Sequence, residues 1–421
     1  MKKLILSLLF SVAVIAVNAQ FVVEGTNTKV IQLSGNSVSN IDAVFLFNGI
    51  SADNMIKYTG SGSSFSWTKY DGTFMSNQPD IAIEDATGYI LTVDGDTQYY
   101  IWVIDYNNAL ITANSLTVEA GGSNECNYLG IRFDGSIPNL VYFDKNGSMQ
   151  TLIRRFTLTY QDAQYSNNQW GNVTRTVTQT APFTTISVSA PLKDTQFTLT
   201  GDQYATQLSA TPITLTTATY SAIRTKANLN GVIESRNVPN EINVPGAGLQ
   251  GSGPLTVNFT SNANAVTQFY DWVISPINGQ GATMRYTDTD IRYTFQQTGT
   301  YRVVLTTYGP NQTCSYTDST TVTVSESYIE APNVFTPNGD GNNDEFRVAY
   351  KSIAKYAINI YSTWAGKVYS SNDPSTGWNG RVNGKLVPPG AYYYIITATG
   401  TDGKKYKLKG SVSVLHSKND K

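Results

Sequence analysis

The sequence is poor in the side chains that most enzymes use. Its single histidine, His416, lies near the end of the 421 residues. A Ser-His-Asp triad and a histidine-rich zinc site both need histidine beside their other members. No G-x-x-x-x-G-K-[ST] or G-x-G-x-x-G loop opens a helix either. We therefore predict that the protein is not an enzyme. A small hydrolase with paired carboxylates is the remaining catalytic alternative, because any two carboxylates can meet in space.

Cysteine is almost as scarce as histidine. Cys126 and Cys314 are the only two, and they fall in regions that we predict to be different domains. Disulfides of β-sandwiches normally join strands of one domain. We therefore expect that these two cysteines do not pair, and that apolar cores hold the domains together.

Charged residues are also few, at 14% of the sequence against about a quarter in a typical globular protein. The net charge is −2 and no long basic patch occurs, so nucleic acid is not expected as a partner. Lysines concentrate only near the end of the chain. Such a cluster has two explanations. It is either a solvated edge strand, whose lysines prevent it from pairing with other strands, or a binding surface. The cluster consists of Lys404, Lys405, Lys407, Lys409, Lys418 and Lys421.

A long apolar run occurs only at the start of the chain. Lys2 and Lys3 precede an apolar stretch at residues 4–17, which is shorter than the roughly 20 residues that span a bilayer. Small residues follow, ending at Ala19 before Gln20. This pattern predicts a secretory signal peptide over residues 1–19, cleaved between Ala19 and Gln20. No later stretch is long and apolar enough for a transmembrane helix, so none is expected in the mature chain.

Strand patterns fill the rest of the sequence. Residues 64–70 alternate with period two, whereas residues 41–47 are mostly apolar, as in a strand buried on both faces. Glycine-rich turns separate such runs, and no amphipathic helix is evident. The fold class is therefore predicted as all-β, with tandem immunoglobulin-like β-sandwiches. The predicted domains are sandwiches at 20–121 and 122–226, a linker at 227–252, a third sandwich at 253–325 and a C-terminal sandwich at 330–417.

The third sandwich resembles immunoglobulin-like domains of the polycystic-kidney-disease (PKD) type. Tyr270-Asp271-Trp272 is similar to the Y-x-W core strand of that family, and residues 299–305 are similar to its G-x-Y-x-V-x-L strand. The usual G-D-G turn after the tryptophan strand is replaced by residues 275–279, so no function of that turn carries over.

The C-terminal sandwich resembles the gliding-motility-associated C-terminal domains. These are the type B sorting domains of the type IX secretion system of Bacteroidetes. The resemblance begins with the run P-N-V-F-T-P-N-G-D-G-N-N-D at residue 332, and it departs from the family at Ser362-Thr363-Trp364. It implies export to the cell surface or medium through the type IX translocon, with a PorP/SprF-type outer-membrane protein as partner. The residues that carry it are Pro332, Asn333, Phe335, Pro337, Asn338, Gly339, Asp340, Gly341, Asp344, Trp378, Gly380, Pro389, Gly390, Tyr392, Lys407, Lys409 and Gly410.

Alternation within this domain predicts how two strands are placed. Tyr392, Tyr394 and Ile396 share one strand face, and Tyr393 and Ile395 share the other, which predicts a strand enclosed on both sides. Lys407 and Lys409 also alternate, so both should project from one side of a late strand. Spacing alone does not decide whether that side contacts a receptor or water. The family resemblance favours a receptor.

One loop of the domain carries oxygen side chains at every second position. Asn338, Asp340, Asn342 and Asp344 are spaced like the first half of a calcium loop. An EF-hand is excluded because its twelfth position would be Ala349, which cannot supply the bidentate carboxylate. Calcium binding and a network of Asx turns both remain open.

These observations support three hypotheses. The leading one is a non-enzymatic protein of the cell surface, associated with the outer membrane, or of the medium. It would be exported through the periplasm, and its front domains would bind a glycan or a protein. The second is a structural or regulatory component of the type IX secretion and gliding machinery. The third is the small carboxylate hydrolase.

Overall fold

The structure is a computed structural model that describes residues 20–26, 29–120, 124–242, 248–277 and 282–416. The predicted signal peptide with Ala19 lies outside these residues, as do Lys418, Lys421 and residues 243–247 of the predicted linker. Strands make up nearly all of the regular structure, which confirms the all-β fold class. Within the described residues, no helix has the length and apolar character needed to cross a membrane.

The described residues form two compact units. The first runs to Asp162 and includes residues 173–190 and 194–221. The second comprises residues 163–172, 191–193 and everything from Ala222 onward.

The described residues of the front half of the chain form eighteen strands, two short 3-10 helices (Gly35–Ser37 and Tyr106–Ala109) and the helix α1 (Gln203–Gln207). The strands are β1 (Phe21–Glu24), β2 (Val30–Leu33), β3 (Ala43–Phe47), β4 (Met55–Tyr58), β5 (Phe65–Lys69), β6 (Phe74–Ser76), β7 (Asp80–Ala82), β8 (Thr87–Val93), β9 (Thr97–Asp105), β10 (Thr112–Glu119), β11 (Tyr128–Ser136), β12 (Leu140–Phe143), β13 (Met149–Leu152), β14 (Arg155–Ser166), β15 (Gln169–Thr180), β16 (Thr185–Ser189), β17 (Phe197–Gly201) and β18 (Ile213–Thr216).

These strands build five sheets. The largest has six strands in the order β2-β3-β9-β8-β5-β6, and the three-stranded sheet β1-β4-β7 packs against one of its faces. The remaining sheets are β10-β11-β16, β12-β13 and β15-β14-β17-β18.

Strand β3 is the second strand of the six-stranded sheet and is buried on both faces. Phe45 belongs to the core beneath the three-stranded sheet. Leu46 points the other way, into a second core with Tyr142 of β12 and Tyr204 of α1. All five residues of β3 are buried, which agrees with the prediction for residues 43–47, whereas Ile41 and Asp42 precede the strand and Asp42 is exposed. Residues of the second predicted sandwich thus cover one face of the sheet of the first, and most of both predicted sandwiches lie in the first unit.

Seventeen further strands lie in the part of the second half that the structure describes. They are β19 (Asn230–Ile233), β20 (Leu249–Gly251), β21 (Leu255–Thr260), β22 (Phe269–Pro276), β23 (Met284–Tyr286), β24 (Ile291–Phe295), β25 (Gly299–Tyr308), β26 (Ser315–Val324), β27 (Tyr328–Glu330), β28 (Val334–Phe335), β29 (Ala349–Lys351), β30 (Ile353–Ser362), β31 (Gly366–Ser371), β32 (Arg381–Val382), β33 (Lys385–Leu386), β34 (Gly390–Gly400) and β35 (Lys405–Val414).

The third domain is a sandwich of the sheets β19-β21-β24 and β20-β26-β25-β22-β23. Trp272 is fully buried in its core, and the indole N–H donates to the carbonyl of Asp288 at 2.9 Å. Val303 and Leu305 lie on the buried face of β25, as their alternation predicts.

Part of the predicted linker belongs to this third domain. β19 pairs antiparallel with β21, and β20 pairs parallel with β26. The described part of the segment 227–252 therefore contributes two strands to the third domain and is not only a linker. Its glycine, asparagine and proline content indicated a flexible connection. Ile233 and Leu249 nevertheless pack against the domain core and hold their strands in the sheets.

Cys126 and Cys314 are both disulfide-bonded. The expectation that they stay unpaired is therefore wrong. It rested on the regularity that disulfides of β-sandwiches join strands of one domain. An oxidising compartment outside the cytoplasm allows such bonds to persist.

Candidate functional site

The aromatic residues of the sorting motif form the core of the C-terminal domain. Phe335, Trp378 and Tyr392 are buried together, with ring centroids 5.5 Å apart for Phe335–Trp378 and 5.1 Å apart for Trp378–Tyr392. The Trp378 indole donates to the carbonyl of Arg381 at 3.1 Å, and the Tyr392 hydroxyl donates to the carbonyl of Pro388 at 2.9 Å. Burial raises the pKa of Tyr392. These buried aromatic residues stabilise the fold of the domain.

Two glycines of the motif allow close approaches within the same domain. Gly380 has a φ of +70°, and a Cβ atom there would lie 2.9 Å from Cγ of Pro337. A Cβ atom on Gly410 would lie 2.5 Å from the hydroxyl of Tyr394. Four further motif residues outside the acidic loop lie at or shortly before strand starts, namely Pro332, Asn333, Pro389 and Gly390.

The acidic loop is organised by its own backbone amides. The Asp344 carboxylate accepts the N–H groups of Gly339 and Gly341 at 2.6 and 2.8 Å. Asp340 accepts the N–H of Asn342 at 2.7 Å and the side-chain amide of Asn338 at 3.0 Å, and these two bonds lower the pKa of Asp340. The Asx-turn alternative requires hydrogen bonds of this kind. The calcium prediction for Asn338, Asp340, Asn342 and Asp344 stays a prediction, to be decided by a binding measurement.

The largest sheet of this domain has the strand order β28-β35-β34-β30-β31, and its inner face covers the core. Ile396 on the inner face of β34 is fully buried, but its outer-face neighbours are not. Tyr393 is 50% exposed and Ile395 is 37% exposed. The prediction that this strand is enclosed on both faces is therefore wrong. The structure places no second layer over the outer face within the described residues.

Lysines lie beside one end of this exposed apolar stretch. In the sheet register, Ile395 is opposite Lys409, and Thr397 is opposite Lys407. Thr399 lies between Lys405 on one side and Lys355 on the other. Lys407 and Lys409 are exposed on one side of β35, as their alternation predicts. Matched residues of neighbouring strands point to the same face, so the three lysines of β35 and Lys355 share the outer face with Tyr393 and Ile395.

No negative charge in the sheet balances these lysines. The five strands contain five lysines and no Asp or Glu. None of the five forms an ion pair with another described residue. A depression of about 460 Å³ opens on this sheet, and its lining includes Lys355, Thr397, Lys405 and Lys407. The outer face is thus positively charged at one end and apolar at the other.

Sequence reasoning missed two features of this surface. Trp364 stands 67% exposed in the turn between β30 and β31, at the sheet end that carries Tyr393. β35 is also partly unpaired along its outer edge, because the two-residue strand β28 pairs only with Ser413 and Val414. The departure of Ser362-Thr363-Trp364 from the family pattern was the one signal that could have indicated the exposed tryptophan.

The front of the chain offers fewer exposed aromatic residues than its composition indicates. Trp67 and Trp102 are buried in the cores of the first unit, whereas Phe74 and Tyr128 are exposed. The first unit also has a polar pocket of about 550 Å³. Its lining includes Asn36, Ser39, Gln150, Arg155, Gln203 and Gln207.

Two family models match parts of the chain. Residues 117–217 match the Fn3_FA fibronectin type III domain, and residues 329–414 match the CHU_C type IX secretion signal domain. No curated protein matches the sequence.

Three solved structures are similar to this chain at low sequence identity, and each match covers 86% of it. A tetra-tandem repeat from the extending region of a large adhesion protein is 12% identical, with 95% of that chain covered and a TM-score of 0.20. Immunoglobulin domains 1–5 of Sidekick-1 are 12% identical, with 76% covered and a TM-score of 0.27. A Ca²⁺-stabilised adhesin that helps an Antarctic bacterium reach out and bind ice is 10% identical, with 93% covered and a TM-score of 0.20.

Likenesses at these TM-scores carry no argument about domain arrangement or ligands. The family match at the end of the chain is specific, and it coincides with the domain whose outer sheet face is exposed and rich in lysine. Residues 329–414 therefore form a type IX secretion signal domain of the CHU_C family.

Proposed function

We propose that this protein is a non-enzymatic cell-surface or secreted protein that its C-terminal domain delivers to the type IX translocon. The observation that carries the proposal is the match of residues 329–414 to a type IX secretion signal domain. The exposed outer face of the sheet supplies a docking surface for the translocon and for an outer-membrane protein of the PorP/SprF type. Its apolar residues and unpaired lysines are what a protein partner of opposite charge would cover.

A truncation tests the delivery role. Deleting residues 330–421 from the gene, in a bacterium that has the type IX system, should leave the protein in the periplasm. The full-length protein should become accessible to protease added outside the cells. Equal surface exposure of the truncated and full-length proteins would refute the proposal. Loss of export of other cargo in a strain that lacks the whole gene would instead favour the secretion-machinery alternative.

The proposed role of the front domains is adhesion to a glycan or a protein. The polar pocket of the first unit supports the glycan version, because amide, hydroxyl and guanidinium groups hydrogen-bond sugar hydroxyls. Asn36 and Gln207 line this pocket and are exposed. Binding of the mature protein to a glycan array should fall when both are replaced by alanine. It should not change in a control variant with Asn77→Ala and Gln78→Ala, which lie outside the pocket lining. Equal glycan binding by the pocket variant and the control variant would show that this pocket is not the glycan site.

A further inference from the structure

We propose that the outer edge of β35, from Lys405 to Ser411, binds an extended acidic segment of the export partner as an added β-strand. This inference rests on the proposed function, and it states the chemistry of the partner for the same surface. Three observations support it: the direction of the backbone groups along β35, the charge of that edge, and the exposed apolar residues beside it.

The backbone direction follows from the short strand β28. Ser413 donates its N–H to the carbonyl of Asn333 at 2.9 Å, and Leu415 donates its N–H to the carbonyl of Phe335 at 3.1 Å. Alternate residues of a strand direct their N–H and C=O groups to the same side. Lys405, Lys407, Lys409 and Ser411 therefore direct their backbone groups to the same outer side as Ser413.

No described strand pairs with that side before Ser413. The edge of β35 thus exposes the backbone N–H and C=O groups of four alternate residues, which are Lys405, Lys407, Lys409 and Ser411. Such a row is a template for strand addition, which supplies affinity through main-chain hydrogen bonds.

The charge of the edge selects the occupant. Lys405, Lys407 and Lys409 are exposed at alternate positions, so they span about 13 Å at roughly 3.3 Å per residue. An added strand with Asp or Glu at alternate positions would place a carboxylate beside each lysine, and such cross-strand pairs are favourable. A second copy of this chain is disfavoured as the occupant, because two β35 edges would bring lysine opposite lysine.

The apolar residues of the outer face extend the same surface. Tyr393 and Ile395 lie on β34, directly beside β35, and are opposite Ser411 and Lys409. A folded partner that contributes the added strand would cover them with its own surface. A free phosphate or an anionic lipid headgroup would bind the lysines but would not need the backbone edge.

Two variants at one position separate the edge from the charge. Lys407→Gln removes one charge and keeps the outward N–H. Lys407→Pro removes the charge and the N–H, at an edge position where proline is tolerated because that N–H has no partner within the protein. With the full-length chain in a bacterium that has the type IX system, we expect surface delivery to fall about twofold for Lys407→Gln and at least tenfold for Lys407→Pro. Thermal unfolding of both purified proteins is the control for folding.

A peptide measurement tests the same inference without relying on the proline variant. The probe is a capped peptide of alternating Glu and Val residues, titrated against the purified full-length protein. Binding should weaken at least tenfold when Gln replaces Glu in the peptide, or when alternate peptide amides are N-methylated so that they cannot pair with the edge. Raised salt should also weaken binding.

Several results would overturn the inference. They are equal delivery of the Lys407→Gln and Lys407→Pro variants when both are folded, equal binding of the methylated peptide, and preferential binding of inorganic phosphate or phosphatidylglycerol vesicles. These failures differ from failure of the proposed function. If deletion of residues 330–421 traps the protein in the periplasm but Lys407→Pro is delivered normally, only the strand-addition inference is wrong.

Discussion

Two strands with similar apolar patterns have opposite surroundings in this protein. Residues 43–47 in the first unit and residues 392–396 in the C-terminal domain are both apolar or aromatic throughout, and both patterns predict burial on two faces. The first is buried at every position, whereas the second leaves Tyr393 and Ile395 exposed. The difference lies in what covers each sheet. β12, β13 and α1 pack over one strand, and lysines of β35 flank the other.

This comparison shows that an apolar strand pattern does not by itself decide whether both faces of the strand are buried. Exposed apolar residues have an unfavourable contact with water that a partner would remove. The first two of the four predictions below test the comparison, the other two concern the acidic loop, and all four are ordered by the size of the expected effect.

The largest effect is expected at β3. Phe45→Ala should lower the free energy of unfolding of the first unit by about 3–5 kcal/mol, and Leu46→Ala by about 2–5 kcal/mol, because each leaves a cavity in a different core. Urea denaturation of the mature protein, followed by tryptophan fluorescence, measures both. If either substitution left the free energy of unfolding unchanged, β3 would have only one buried face and the comparison would fail.

Substitutions at two adjacent positions of β34 should differ in their effect on the free energy of unfolding. Ile396→Ala should lower the free energy of unfolding of the C-terminal domain by about 2–5 kcal/mol, since that side chain is fully buried. Ile395→Ala should change it by less than about 1 kcal/mol, since its side chain is partly exposed. The two variants are matched controls for each other. Equal destabilisation would mean that the outer face is covered in solution.

A smaller effect is expected in the acidic loop. Asp344→Ala removes the acceptor of two backbone N–H groups, so it should lower the free energy of unfolding by about 1–3 kcal/mol in the presence of chelator. Asn343→Ala serves as a loop control. If the loop also binds calcium, calcium should raise the melting temperature of the wild type but not of Asp344→Ala. Equal melting temperatures with calcium and with chelator would reject the calcium prediction.

The smallest effect on stability is expected at acidic pH. The pKa of Asp340 is lowered in the folded protein by the N–H of Asn342 and the amide of Asn338. Its contribution to stability is therefore complete above its unfolded pKa and is lost as the pH falls through the folded value. The melting temperature of the wild type should fall slightly more than that of Asp340→Asn as the pH drops below about 4. Parallel pH profiles for the two proteins would show that Asp340 contributes nothing.

Particular residues show how far the sequence could predict the site. The alternation of Lys407 and Lys409 correctly places them on one side of a strand, and the motif beginning at Pro332 locates the domain that carries them. The open edge could not be predicted, because it depends on β28 ending after two residues. The strands β19 and β20 were missed for a related reason. Their turn-forming neighbours dominate the local pattern, while Ile233 and Leu249 gain their burial from distant residues.

The sequence by itself determined the all-β class, the position of the type IX secretion signal domain and the grouping of its lysines, because alternation and local motifs are encoded by neighbouring residues. The tertiary structure decided which strand faces are covered, which segment of the predicted linker joins a sheet, that both cysteines are bonded, and where the edge of β35 stays open. Burial depends on which distant segments pack together, and that information is distributed over the whole chain.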